Sequence, residues 1–285
     1  MISNTRYHLQ AEISRQQKLA AEIARAQSDL SNETRLQRAS DDPTASARVA
    51  DIRRAQANEA VWARNVDTAS ALATRADATL TSVADALDRA REIVTLANSG
   101  TYNETDRATF AIELRAMADE IATLAQTQDS RGQPLFPDGD SVAVPIGPGL
   151  FVSPSLSKDG VFTNVQTSSG PRDLAQILYD AADAMELSDP VQRETLGAAA
   201  LDDIVNAVDS IAVARGDQGV RAARLDSARE RFASSGLVLA EERSNLEDTD
   251  ITATVAKLQA KQLSLEAAQA VFARINKQTL FDLLG

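Results

Sequence analysis

The distribution of glycine and proline along this 285-residue chain leaves little choice of fold. Of its 12 glycines and 8 prolines, 12 fall in the 40-residue window from Gly132 to Pro171. From Met1 to Ser99 there is no glycine, and the only proline is Pro43. Within a helix, glycine costs about 1 kcal/mol and proline about 3 relative to alanine. Both ends are therefore expected to be helical, with a loop- and strand-rich middle. In that middle, Val142 to Ile146 and Gly149 to Val152 flank a Gly-Pro turn and predict one small hairpin, the only β segment expected. Helices are predicted over about 4–34, 43–98, 104–128, 172–187, 190–214, 219–248 and 251–284.

Helix starts are marked by side chains that accept from the first free N–H groups. Asp42 precedes Pro43, Asp189 precedes Pro190, Asn103 stands three residues before Asp106, and Asp250 opens the last segment. Between these starts the apolar residues keep heptad spacing. Val66, Ala69, Ala73, Ala76, Leu80, Val83, Leu87, Ala90, Val94 and Ala97 step by three and four along one face, a coiled-coil seam. Leu225, Phe232, Leu239 and Leu246 recur every seven, and Ile251, Val255, Leu258, Leu265 and Phe272 continue the pattern. Leu9, Ile13, Ile23 and Leu30 do the same near the start. A helix from 43 to 98 would be roughly 84 Å long at 1.5 Å per residue. A compact domain of this size has a radius of gyration of only about 19 Å. The expected fold is therefore mainly α: a long antiparallel helical rod or coiled coil of paired N- and C-terminal segments, with a small insert bearing a β-hairpin.

Composition narrows the function. Alanine supplies 51 residues and the aromatics only 11, so helices are expected to approach closely. With no cysteine and His8 the lone histidine, thiolate chemistry and multi-histidine metal sites are excluded. A net charge of −12 argues against a nucleic-acid surface. No catalytic residue, metal ligand or cofactor site is expected, and paired carboxylates such as Asp202 and Asp203 read as a solvated helix face. Trp62 reads as a packing anchor. No stretch reaches 18 apolar residues, and the N-terminus lacks the pattern of a cleaved signal peptide.

Charge separates the ends from the middle. Residues 1–56 and 251–285 each carry +2, leaving −16 on 57–250. Leu258, Leu263, Leu265, Val271, Phe272, Ile275, Leu280, Phe281, Leu283 and Leu284 point in several directions, more than one helix partner could cover. Such ends are expected to be completed by copies of themselves or relatives.

These features together resemble the flagellin superfamily, and several motifs carry the likeness. Ser40-Asp41-Asp42-Pro43 followed by Ala47 resembles a segment of the hook–filament junction branch, whereas flagellins usually lack the proline there. Gly132-Gln133-Pro134-Leu135-Phe136, Val144 to Gly147 and Val161-Phe162 resemble that branch's short insert. Asn65-Val66, Asp106-Arg107, Glu113-Leu114 and the tail Gln262 to Leu284 are similar in both branches. One departure is Glu33-Thr34-Arg35, where the family commonly has a glycine, so the first helix is expected to run further.

The resemblance implies a non-enzymatic structural subunit of the bacterial flagellum between the hook-side junction protein and flagellin. It also implies self-assembly, an export chaperone on the C-terminal helices, and an extracellular place reached by flagellar type III export without a cleaved signal. By this likeness 1–40 and 250–285 form an inner-tube domain, 41–131 and 172–249 a helical rod domain, and 132–171 the outer insert. The assembly residues would be Leu9, Ile13, Ile23 and Leu30 on the first helix. On the last they would be Val255, Leu258, Leu265, Phe272, Ile275, Leu280, Leu283 and Leu284. Arg89, Ile93 and Glu113 fall at positions similar to a flagellin surface read by an animal immune receptor, though an ordinary surface is the plainer reading. A short flagellin, or a generic coiled-coil adaptor, are the alternatives.

Overall fold

The structure is a computed structural model that describes residues 2–168 and 170–281, with side chains from 10 to 274 apart from that of residue 169. Among the described residues six α-helices run in chain order: α1 Ile2–Asn32, α2 Pro43–Ala97, α3 Glu104–Leu124, α4 Leu174–Met185, α5 Pro190–Glu247 and α6 Ile251–Phe281. Between α3 and α4 lie two antiparallel hairpins, β1 Val144–Gly147 with β2 Leu150–Val152, and β3 Val165–Thr167 with β4 Gly170–Arg172. A π-helical turn, Asp159–Thr163, separates them. The chain divides into two compact units, Met1–Ala57 with Ser235–Gly285 and Asn58–Ser234.

The capping residues act where the sequence placed them. Asp42 accepts from the Ala45 N–H at 3.0 Å, Asp189 from Val191 at 2.9 Å and Asp250 from Ala253 at 2.9 Å. Asn103 and Asp106 form a reciprocal capping box on α3. Each such cap stabilises a helix start by about 1 kcal/mol.

In the unit Asn58–Ser234 the alanine-rich seam is the core. All ten seam residues from Val66 to Ala97 are buried. The seven from Ala76 to Ala97 share one cluster with Leu114, Ala118 and Ile121 of α3, Leu174, Ile177 and Leu178 of α4, and Ile204, Ala207 and Ile211 of α5. Burying each leucine or isoleucine stabilises this unit by roughly 1.5–3 kcal/mol. Leu135 and Phe136 also enter the core, where Phe136 meets Phe162 edge-on with ring centroids 5.2 Å apart. The first hairpin lies on a second cluster. Ile146 and Val152 pack on Val66, Ala69, Ala73, Leu225 and Ala228. Trp62 stacks on Phe232, 6.1 Å away.

Five expectations are corrected here. The helix break expected between 214 and 219 does not occur, and α5 is continuous. Gly216 and Gly219 cost it propensity only, while Ile211, Ala214, Leu225 and Ala228 on either side are buried. Between the glycines, fully buried Gln218 donates to the Ala73 carbonyl at 3.2 Å and to that of Pro154 at 2.8 Å. A second hairpin, β3–β4, joins the one expected, and α4 begins at Leu174, where Asp173 accepts from Ala175 and Gln176. α3 stops at Leu124 rather than near 128, because a turn closes behind it. There the Asp129 carboxylate accepts from the N–H groups of Arg131 at 2.8 Å and Gln133 at 2.9 Å. Finally, α1 ends at Asn32 instead of running on. Glu33 takes φ +57°, the left-handed conformation that glycine adopts more readily, and makes the turn without one.

Candidate assembly surface

The unit Met1–Ala57 with Ser235–Gly285 is organised around two chain reversals. The Glu33 carbonyl accepts from the Thr249 N–H at 3.0 Å, and the Arg35 N–H donates to the Glu247 carbonyl at 2.8 Å. Thr34 and Asp248 form an isolated antiparallel bridge. The Arg35 guanidinium donates to the Leu246 carbonyl at 3.1 Å, and the Thr249 hydroxyl to that of Asp29 at 3.2 Å. These bonds satisfy backbone groups that both helix ends would otherwise leave free. They also offset the cost of a non-glycine residue at φ +57°, about 1–2 kcal/mol.

Charge pairs brace the same region. Arg48 grips Glu242 with two bonds, 2.6 and 2.9 Å, Arg53 pairs with Glu247, and Arg25 lies 2.8 Å from Asp41. Asp41 also accepts the Arg38 N–H at 2.9 Å. That backbone bond, helped by Arg25, holds its carboxyl below the ordinary carboxylate range. The motif Ser40-Asp41-Asp42-Pro43 is thus a turn lock followed by a helix cap, with Ser40 exposed.

From this anchor α1 and α6 run antiparallel and pack on each other. Lys261 bonds Glu22 at 2.8 Å and lowers the pKa of that carboxyl through the bond and its charge. Ile23, Leu30, Val255, Leu258, Leu265 and Phe272 face this pairing half-buried, whereas Ile13 is 42% exposed. Among the described side chains none on α1 or α6 is buried, and Leu263 and Val271 stand 68% and 57% exposed. Leu9, Ile275 and Leu280 lie outside the described side chains, as does His8, and Leu283 and Leu284 lie outside the described residues. This two-helix pair leaves apolar surface that one more helical layer would cover.

The sequence matches the N-terminal helical region of bacterial flagellin over residues 3–140 and its C-terminal helical region over 201–284. Together these span more than three quarters of the chain. The chain belongs to the flagellin family. Within the family it is 23% identical to flagellar hook-associated protein 3 of Escherichia coli (strain K12) over 276 residues, covering 86% of this chain and 87% of that one. A flagellar hook-associated protein-3 structure from Legionella pneumophila superposes with a TM-score of 0.63 at 14% identity, covering 68% of this chain and 98% of that one. The flagellar junction protein FlgL of the same species gives 0.59 at 15% identity, covering 70% and 100%. Both share the flagellin-type fold seen here.

Two family-derived positions are less available than expected. Ile93 is wholly buried, and Arg89 is held between Glu113 at 2.9 Å and Glu92 at 2.7 Å. Residues that sequence reading passed over include Leu36, Glu247 and Thr249, which join the two reversals. No periodic or motif signal marks them, because their partners lie more than 200 positions away.

Proposed function

We propose that this chain is a structural subunit of the bacterial flagellum that joins the hook side to the flagellin filament, assembling through its terminal helices. One observation carries the reading. The terminal helices α1 and α6 are paired with each other, yet neither buries a described side chain, while the unit Asn58–Ser234 has a filled core. A chain that functioned alone would be expected to cover that surface itself. The likeness to a flagellar hook-associated protein 3 over 86% of this chain favours the junction over the filament.

In this reading the assembly contacts come from Ile13, Ile23 and Leu30 with Val255, Leu258, Leu265 and Phe272, continued by Leu9, Ile275, Leu280, Leu283 and Leu284. Residues 1–40 and 250–285 line the tube, its neighbours are copies of itself, a hook-side junction protein and flagellin, and a chaperone covers the C-terminal helices before export. The role is mechanical and involves no reaction. Deleting the gene in the bacterium that encodes it should leave hooks without filaments, seen by electron microscopy, with flagellin released into the medium. Filaments of normal length on the deletion strain would refute the junction role, and absence of the protein from purified flagella would refute any flagellar one.

A further inference from the structure

The two hydrophobic clusters of the unit Asn58–Ser234 are joined by α5, and the joint carries two glycines. Ile204, Ala207, Ile211 and Ala214 of α5 belong to the cluster with α3 and α4, whereas Leu225 and Ala228 belong to the one beneath the β1–β2 hairpin. Gly216 and Gly219 lie between them. Packing requires neither glycine, since a Cβ at either meets open space, and neither takes a positive φ. Each lowers local helical stability about fivefold relative to alanine. The bonds that cross this step come from fully buried Gln218, whose amide donates to the Ala73 carbonyl of α2 and to the Pro154 carbonyl just beyond β2. Its Oε1 is buried with no partner among the described residues, so the closed arrangement leaves one polar atom unsatisfied that water would reach on opening.

The hairpin is fastened at the same place. Arg221 donates to the Ser153 carbonyl at 3.3 Å, and from α2 Asn65 donates to the Pro145 carbonyl at 3.0 Å. The Ser153 hydroxyl donates to the Ser141 carbonyl at 3.1 Å, which ties the two ends of the segment 141–155 together. We propose that α5 has a hinge at Gly216–Gly219 that this segment holds shut through Gln218, so that release of the β1–β2 hairpin and loosening of α5 are one event. When the segment lifts, Gln218 loses the Pro154 carbonyl, and the Ala73 carbonyl alone holds the glycine step. None of these bonds reaches α3 or α4, whose cluster stays closed, so the opening is local. The unit thereby has a second, looser state reached by freeing a strap, without unfolding its main core. The inference does not depend on the assembly reading above.

Hydrogen exchange of the full chain, read segment by segment, tests the coupling. Residues 144–152 and 216–223 are expected to open with one common equilibrium constant. Gly216→Ala with Gly219→Ala should slow exchange about tenfold in α5 and equally in the hairpin. Gln218→Leu, which keeps the volume and removes the amide, should speed both segments about tenfold and leave 114–121 and 174–182 unchanged. In the Gln218→Leu chain the two alanines should protect α5 alone, because its link to the hairpin is gone. Asn65→Ala, acting from the α2 side of the hairpin, should speed 216–223 by about threefold. The proposal is overturned if the two alanines leave the hairpin's exchange as it was, or if Asn65→Ala leaves that of 216–223 unchanged. It is overturned equally if Gln218→Leu speeds neither segment, or speeds 114–121 as much as 216–223, which would make Gln218 ordinary core. Nothing lies within 4 Å of either new methyl in the glycine variant, so that arm decides the matter even if Gln218→Leu fails to fold.

Discussion

The two compact units solve the same problem, hiding apolar helix faces, in opposite ways. In Asn58–Ser234 the seam from Val66 to Ala97 is closed by α3, α4, α5 and the hairpins, so the chain covers its own surface. In the other unit only Ala45, Val49 and Ile52 are buried among the described side chains, and α1 and α6 cover one face of each other. Both units have heptad-spaced residues and long helices. They differ in the number of layers: one is complete, and the other stops at a pair. An incomplete layer is stable as a fold only where a turn network anchors it, as 33–35 with 247–249 does, and it leaves the rest of the contact area to a neighbour.

Several experiments press on that contrast. Replacing Leu280, Leu283 and Leu284 together by alanine should abolish incorporation into flagella while leaving the thermal midpoint of the monomer within a degree or so. A large loss of monomer stability would mean that the tail is intramolecular core. Leu80→Ala should destabilise the monomer by about 2–5 kcal/mol, whereas Leu258→Ala should cost under about 1, because only the first leaves a closed cavity. Equal costs in urea unfolding would erase the distinction between the units.

Glycines in α5 offer a smaller test. Gly216→Ala meets open space and should stabilise by about 0.5–1 kcal/mol. Gly197→Ala should forfeit that gain, since its Cβ would come within 2.4 Å of the Asn98 amide, which donates to the Gly197 carbonyl at 2.9 Å. Glu33→Gly should stabilise the turn by up to about 1 kcal/mol by relieving the left-handed residue. The weakest effect is electrostatic. Asp41, Glu22 and Glu242 have lowered folded-state pKa values, so what they contribute is present above the ordinary carboxylate range. It should fade as pH falls through their folded values, visible as loss of amide protection around the 33–42 turn and α1 below about pH 4. Salt should diminish it.

How much of this was legible in the sequence follows from the range of each interaction. The seam could be read, because burial at steps of three and four is local, and each of its ten residues is buried. Caps could be read for the same reason. The continuity of α5 could not. Gly216 and Gly219 are local signals to break, whereas what holds the helix is Gln218 bonded to carbonyls 64 and 145 positions away. The hairpin β3–β4 was missed because strands of three residues offer too little alternation to detect. Glu33 was misjudged because the bond that stabilises its conformation comes from Thr249, over 200 residues along the chain. At the assembly surface the apolar excess of the termini was plain, but the turn network that anchors the α1–α6 pair depends on that same distant pairing.

The joining of residues 33–35 to 247–249 also sets the order of folding. Contacts spanning more than 200 positions must wait until nearly the whole polypeptide is free, since distant segments form their native pairing late. Until residues 247–249 and α6 emerge, α1 has no mate and the first reversal lacks its partner strand. The unit Asn58–Ser234 can close its core from residues that all precede α6, whereas the terminal unit is completed only when the last helix is available.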